Sequence, residues 1–280
     1  MTAVAEQSGS GIQFLVSAIW PRNDLSRCWI VTYKVFYDAS GSETDASGVL
    51  ALCCYAAPAA KWLRFDDDWK AMLDEERIPA LHMKTLIDDL KKAHPDDDPH
   101  VRAEALFSRA IRVMKNRHLN KMLSISVDLA AYQEVNREYM LNELYGKGYS
   151  FVAAVCMREA QEWVIAKHRT DPILHVFECG DNGQEEFRDA LPLWPEYSHA
   201  FLPKYDERTG LRVRPFEALD YLGWEIRRAL VDHAVGKRAR PRMHEIHRLL
   251  KTNDHHYTAP ELRAVCETFG VARRTSTGSV

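Results

Sequence analysis

The feature that most constrains the fold of this chain is an apolar run that ends in an acid. Residues 30–37 (IVTYKVFY) are rich in β-branched and aromatic side chains, Asp38 follows them, and residues 39–42 (ASGS) are typical of a turn. Such a run predicts a buried β-strand with Asp38 at its carboxyl end. Ligands and chemistry lie at that end of the strands in α/β sheets, so Asp38 is a candidate functional residue.

Two further acids have similar settings. Glu178 lies near the end of residues 173–179 (ILHVFEC), a second buried-strand pattern that stops at the turn sequence GDNG. Asp220 lies on a helix predicted from residue 216 to about 235, with Pro215 in its first turn. Asp181, within GDNG, is an alternative to Glu178, although its setting favours an Asx turn.

Each acid also has a purely structural explanation. Asp38 could be a turn residue whose side chain binds nearby amides. Glu178 could form a salt bridge with an arginine, because an acid in an apolar strand is costly to bury unless it is paired or bound to metal. Asp220 could pair with Arg228 on the same helix.

Composition indicates a globular protein of one large domain or two small ones, since 46% of its 280 residues are hydrophobic and 28% are charged. No apolar stretch reaches the roughly 20 residues that span a bilayer, and the first ten residues lack the pattern of a signal peptide. These observations predict a cytoplasmic protein without a membrane partner. The six cysteines show no C-x-x-C spacing, which favours reduced and mostly buried thiols.

Charge is distributed unevenly along the chain, although the net charge is only -3. Residues 237–251 (KRARPRMHEIHRLLK) contain six cations and one acid. We interpret this segment either as a patch that contacts nucleic-acid phosphates or as a solvated helix face, with neither favoured. The cations of this basic segment are Lys237, Arg238, Arg240, Arg242, Arg248 and Lys251.

The order of predicted elements indicates the fold class. Strands at residues 29–38, 49–57 and 122–129 form an antiparallel meander, and helix–strand–helix–strand–helix follows. This order is the ribonuclease H-like arrangement, a mixed five-stranded α/β sheet flanked by helices, with the acids on its first strand, fourth strand and final helix. We expect a domain at residues 13–235 with a helical insertion at about 58–120, a helical C-terminal appendage at 236–270, and disordered ends at 1–12 and 271–280.

Four segments resemble the domain of unknown function 3800 family, which occurs in bacteria and phages and is considered ribonuclease H-like. They are residues 35–41 (VFYDASG), 81–84 (LHMK), 176–181 (VFECGD) and 216–224 (FEALDYLGW). The resemblance spans about residues 30–235 and implies a metal-dependent nuclease. Ala39 replaces an acid that the family often has, and Leu219 replaces a common alanine.

Clustered carboxylates suit Mg²⁺ or Mn²⁺, because hard cations prefer oxygen ligands. Two such ions about 4 Å apart activate the attacking water and stabilise the leaving oxygen in phosphodiester hydrolysis. In a two-ion site, Asp38 would bridge the ions and Glu178 and Asp220 would hold one each. His82 or Lys84 would stabilise charge on the scissile phosphate.

The leading hypothesis is therefore a divalent-metal-dependent nuclease that acts on DNA or RNA. The alternative is a catalytically inactive module that binds nucleic acid or a protein partner, and a homodimer is compatible with both. Phosphatase chemistry with Asp38 as the nucleophile is disfavoured because Ser40 stands where such enzymes have a second acid. The sequence contains no P-loop, dinucleotide-binding glycine pattern or Gly-x-Ser-x-Gly motif.

Overall fold

The computed structural model describes residues 33–116, 121–168, 172–238, 240–250 and 252–274. Several expectations concern residues outside these ranges: the disordered segment 1–12, the last six residues of the expected tail, the beginning of the first strand at 29–32, Cys28, and Lys251 of the basic segment.

Five strands form the centre of the sheet. They are β1 (Tyr33–Ser40), β2 (Val49–Pro58), β3 (Lys121–Asp128), β4 (Ile173–Glu178) and β5 (His199–Leu202). β2 pairs antiparallel with β1 and β3, whereas β4 pairs parallel with β1 and β5 pairs parallel with β4. The strand order β5-β4-β1-β2-β3 is the ribonuclease H-like arrangement and confirms the predicted mixed α/β fold.

The sheet has a sixth strand that the sequence analysis missed. Asn253–Tyr257 forms β8 and pairs parallel with the outer edge of β3. The predicted five strands and purely helical C-terminal appendage are therefore wrong at this point. The sequence of β8 (NDHHY) is polar and mostly exposed, so it lacks the hydrophobic alternation that predicts a strand. The remaining two strands, β6 (Tyr205–Asp206) and β7 (Leu211–Arg212), form a separate short hairpin.

Helices cover both faces of the sheet. The predicted insertion between β2 and β3 consists of α1 (Ala59–Glu76), α2 (Leu86–Ala93) and α3 (Pro99–Asn116). None of the helices in the described residues is long and apolar enough to cross a membrane. The others are α4 (Leu129–Tyr139), α5 (Leu141–Tyr145), α6 (Gly148–His168), α7 (Gln184–Ala190), α8 (Arg214–Ala234), α9 (Pro241–Leu250) and α10 (Ala259–Thr268).

The core has two layers because side chains alternate across each strand. On β1, Tyr33, Val35 and Tyr37 face the layer that contains α4, α6 and α10. Phe36 faces the layer that contains the insertion, α8 and α9. Asp38 has the same parity as Phe36, so it lies on the face that α8 covers.

β3 differs from expectation in its burial. Its alternation of apolar and polar residues predicts one exposed face, but Ser124 and Ser126 are both buried. Helix α8 contacts β3, which accounts for the covered face. Among the cysteines of the described residues, Cys53, Cys54, Cys156 and Cys266 are buried and Cys179 is partly exposed.

Candidate active site

The parallel pairing of β1 with β4 brings two of the predicted acids to one edge of the sheet. Tyr37 pairs with Phe177, so the next residue of each strand, Asp38 and Glu178, lies at the carboxyl edge of neighbouring strands. Asp38 is only 3% exposed. The chain turns away from the sheet directly after β1 at Gly41, whose φ of 93° is in the left-handed region that glycine tolerates.

The third acid reaches this edge because α8 packs closely on β1. Gly223 faces the end of β1, and a Cβ atom at this position would lie 3.2 Å from the Cβ of Ser40. The absence of a side chain therefore allows a close approach between the helix and the strand. Asp220 lies almost one helical turn before Gly223, which places it beside the two strand acids.

The ammonium of Lys204 connects the three acids. Its Nζ lies 3.4 Å from Oδ2 of Asp38, 3.0 Å from Oε2 of Glu178 and 3.7 Å from Oδ2 of Asp220. The predicted convergence of the acids is therefore present, with a cation among them. The structural alternative for Glu178 is met in kind, because Glu178 forms a salt bridge with a lysine instead of an arginine. The alternative for Asp220 is not observed, since Arg228 lies near Asp232 and packs over Trp224.

Asp181 borders the same group of acids. It accepts a hydrogen bond of 3.4 Å from the hydroxyl of Tyr149. Burial and the nearby Glu178 raise the pKa of Asp181 to about 7, although Lys204, the Tyr149 hydroxyl and the Ala39 amide favour its charged form. We call Asp38, Glu178, Asp181 and Asp220 the acid cluster.

Burial and charge perturb the protonation of the cluster. Burial raises the pKa of Asp38 well above its usual value, Lys204 opposes this shift, and the Glu178 carboxylate adds to it. Burial alone would lower the pKa of Lys204, but Asp38, Asp220 and Glu178 outweigh that effect and raise it. Lys204 therefore stays charged, while the carboxylates compete for its ammonium.

The segment LHMK lies against this site through two acids of α8. The Met83 amide donates a 3.3 Å hydrogen bond to Oδ2 of Asp220. The Leu81 amide and the Trp69 indole N–H both donate 3.0 Å hydrogen bonds to Oε2 of the buried Glu217. His82 is partly buried, and its Nδ1 has no hydrogen-bond partner among the described residues. Lys84 is exposed.

Sequence reasoning missed Lys204, Glu217 and Gly223. Lys204 follows β5 by two residues, so the rule that singled out Asp38 at a strand's carboxyl end could also have found it. Glu217 lies within an apolar helix face, which is a signal for a buried, paired acid. No local pattern distinguishes Gly223, because its role depends on the approach of β1.

As placed, the acids do not form a ready metal site. Within the part of the chain that the structure describes, no group of three or more His, Cys, Asp or Glu side chains is arranged to hold a metal ion. In the acid cluster, the ammonium of Lys204 lies within 3.0 to 3.7 Å of an oxygen of Asp38, Glu178 and Asp220.

The basic segment is partly engaged in internal ion pairs. Arg240 donates a 2.6 Å hydrogen bond to Glu225 of α8. Arg242 pairs with Glu104 of α3 and donates a hydrogen bond to Ser108. These two arginines therefore attach α9 to the domain, whereas both interpretations of the basic segment treated all six cations as free. Lys237, Arg238 and Arg248 are exposed, with Lys237 near Asp232.

Together, the strand order and the site define a ribonuclease H-like α/β protein with four acids and one lysine at the carboxyl edge of its sheet. No protein-family model and no curated protein matches the chain. Among solved structures, ribonuclease H2 from Pyrococcus horikoshii OT3 is similar over 88% of this chain and 94% of that chain, with 15% identity and a TM-score of 0.30. This likeness is too distant to bear on the function, and the class follows from the connections of the chain itself.

Proposed function

We propose that this chain is a divalent-metal-dependent nuclease that hydrolyses phosphodiester bonds of DNA or RNA. The observation that supports the proposal best is the convergence of Asp38, Glu178 and Asp220 from three separate elements. Each has a carboxylate oxygen within 3.0 to 3.7 Å of the same cationic nitrogen. A position that holds one cation among three carboxylates is a position where a divalent ion would be favoured.

The chemistry of the donor groups fits Mg²⁺ or Mn²⁺. The acid cluster offers only oxygen ligands, and Oε2 of Glu178 is buried without an aligned hydrogen bond. Asp38, Glu178 and Asp220 would hold the metal, with Asp181 as a further ligand. When bound, one or two such ions activate the attacking water and stabilise charge on the leaving oxygen.

The chain's own residues would position the candidate metal ligands and the scissile phosphate. The Met83 amide orients the Asp220 carboxylate, and the buried Glu217 holds the segment that carries this amide. In the metal-free protein, burial and the nearby Glu178 raise the pKa of Asp181 to about 7. His82 remains our candidate for stabilising charge on the scissile phosphate.

We also propose that the chain is a member of the domain of unknown function 3800 family. The four segments of the resemblance all contribute to the same site. Residues 35–41 and 176–181 supply Asp38, Glu178 and Asp181, residues 216–224 supply Asp220, and residues 81–84 contact Asp220 through the Met83 amide. Segments that are scattered along the chain but meet at one site are expected of family motifs with a shared function.

A cleavage assay tests the nuclease proposal. The variants Asp38→Asn and Asp220→Asn should each lose at least about a hundredfold of the Mn²⁺-dependent cleavage of single- and double-stranded DNA and RNA, because each removes a charged metal ligand. Asp67→Asn, at an exposed position of α1, is the control and should retain activity. Chelation of the metal should abolish cleavage by the wild type. Equal cleavage by all variants would reject the assignment.

The presence of Lys204 in the acid cluster favours one alternative, a non-catalytic module that binds nucleic acid or a protein partner. Such a module needs no metal, since the lysine already neutralises part of the cluster. Calorimetry separates the two functions, because a binding module should take up nucleic acid without binding Mn²⁺. A homodimer remains a prediction, which light scattering on the intact protein can test.

A further inference from the structure

Lys204 lies at the base of the β6–β7 hairpin and points into the acid cluster. It follows β5 and precedes Tyr205, and its carbonyl oxygen accepts a 3.0 Å hydrogen bond from the Val213 amide. Its side chain is only 17% exposed. Lys204 is therefore anchored by its backbone at the site, while its ammonium reaches the carboxylates through a flexible four-carbon stem.

In the described part of the chain, no other lysine or arginine pairs with the three acids. Lys204 is the one Lys or Arg there that forms an ion pair with Asp38, Glu178 or Asp220. Asp181 adds a fourth carboxyl group beside them, which accepts a 3.4 Å hydrogen bond from the Tyr149 hydroxyl. Without the ammonium, partly buried like charges would face each other, which is unfavourable.

We propose that Lys204 is the resident cation of the acid cluster: it holds the carboxylates together in the absence of metal and has to leave the cluster when a divalent ion binds. This inference rests on the proposed metal-dependent function. The positive charge and the metal compete for the same three oxygens. Lys204 thereby lowers the affinity for metal while it stabilises the metal-free protein.

Metal-binding calorimetry and thermal melting test the competition. Lys204→Met retains most of the aliphatic stem but removes the charge. In EDTA, this variant should melt at a lower temperature than the wild type, because the carboxylates lose their ion pairs with the ammonium. In Mn²⁺ titrations, it should bind on the order of tenfold to a hundredfold more tightly, because no ammonium has to be displaced.

A second pair of variants keeps the test valid if Lys204→Met does not fold. Asp181→Asn combined with Lys204→Met removes one acid together with the ammonium, so that fewer carboxylates are left without a cation than in Lys204→Met alone. This double variant should bind Mn²⁺ about tenfold or more tightly than Asp181→Asn alone. Equal or weaker binding than the matched protein that retains Lys204 would overturn the proposal.

The outcomes also separate this inference from the nuclease proposal. If the wild type and the Lys204 variants bind Mn²⁺ with the expected difference but cleave no nucleic acid, the resident-cation role stands and the nuclease function is rejected. If none of these proteins binds Mn²⁺, both proposals fail.

Discussion

Two acids on α8, three residues apart, have different tasks. Glu217 is fully buried and accepts hydrogen bonds from the Trp69 indole and the Leu81 amide. Asp220 is partly exposed, accepts one from the Met83 amide and faces Lys204. Glu217 thus fixes the segment that contacts Asp220, so that the orientation of a candidate metal ligand depends on a residue outside the acid cluster.

Replacement of Glu217 should therefore cost stability. Glu217→Leu should lower the free energy of unfolding by about 2 to 5 kcal/mol, because two buried N–H groups lose their acceptor. Glu217→Gln is the matched control, since its amide oxygen can still accept, and it should cost about 1 kcal/mol. Urea denaturation followed by circular dichroism measures both values. A Leu variant as stable as the Gln variant would show that these hydrogen bonds contribute little.

At the scale of elements, the contact of α8 with the end of β1 assembles the site. Gly223 lies against Ser40, and the next nearest atom to a Cβ at this position would be Sγ of Cys53 on β2, at 3.7 Å. Helix α8 contacts both β1 and β2 at this point. The distance of Asp220 from Asp38 is therefore set by how closely a helix can approach a sheet, which is a matter of side-chain volume.

A larger side chain at Gly223 should move α8 and disturb the acid cluster. Gly223→Leu should lower the free energy of unfolding by about 1 to 3 kcal/mol through overpacking. It should also weaken Mn²⁺ binding, measured by calorimetry, because Asp220 is displaced from Asp38 and Glu178.

The controls for Gly223→Leu test the contact between Gly223 and Ser40. Gly223→Ala should be nearly neutral, because a gain in helix propensity of up to about 1 kcal/mol offsets mild crowding against Ser40. Adding Ser40→Gly to Gly223→Leu should restore part of the loss. Wild-type stability and metal binding in Gly223→Leu would show that the approach of α8 is not limited by this residue.

The elements that position the site could be predicted from the sequence where burial is reflected in local composition. β1 and β4 are buried, apolar runs, and α8 carries an apolar stripe, so the elements that hold Asp38, Glu178 and Asp220 were predicted correctly. The turn expected directly after Asp38 begins two residues later, because Ala39 and Ser40 still pair with β2 and the chain turns at Gly41. The GDNG turn does follow the end of β4 closely. These local signals were sufficient to place the acids at one edge.

Features that depend on distant partners could not be predicted. β8 is a polar edge strand that exists because β3 offers a free edge. Arg242 pairs with Glu104, which lies 138 residues away in the sequence, so neither interpretation of the basic segment included this ion pair. Lys204 follows a strand of only four residues, and its meeting with the acids requires the whole sheet.

At the scale of the whole molecule, the C-terminal segment is part of the fold. β8 extends the sheet, and the Tyr257 ring lies 5.1 Å from that of Phe151 on α6. Leu262 and Cys266 of α10 are fully buried in the layer shared with α4 and α6. Residues expected to form an appendage therefore contribute to both core layers, α9 to one and α10 to the other. Their removal should lower the stability of the entire domain.

Shortening the Leu262 side chain tests whether α10 unfolds together with the rest of the domain. Leu262→Ala should lower the free energy of unfolding of the whole protein by about 2 to 5 kcal/mol, because it leaves a cavity in a core layer. Urea denaturation, followed by tryptophan fluorescence and circular dichroism, should show one transition at lower urea with an unchanged slope. Val235→Ala, at an exposed position, is the control and should change little. If α10 were an independent appendage, the main transition would stay in place and a separate one would appear at low urea.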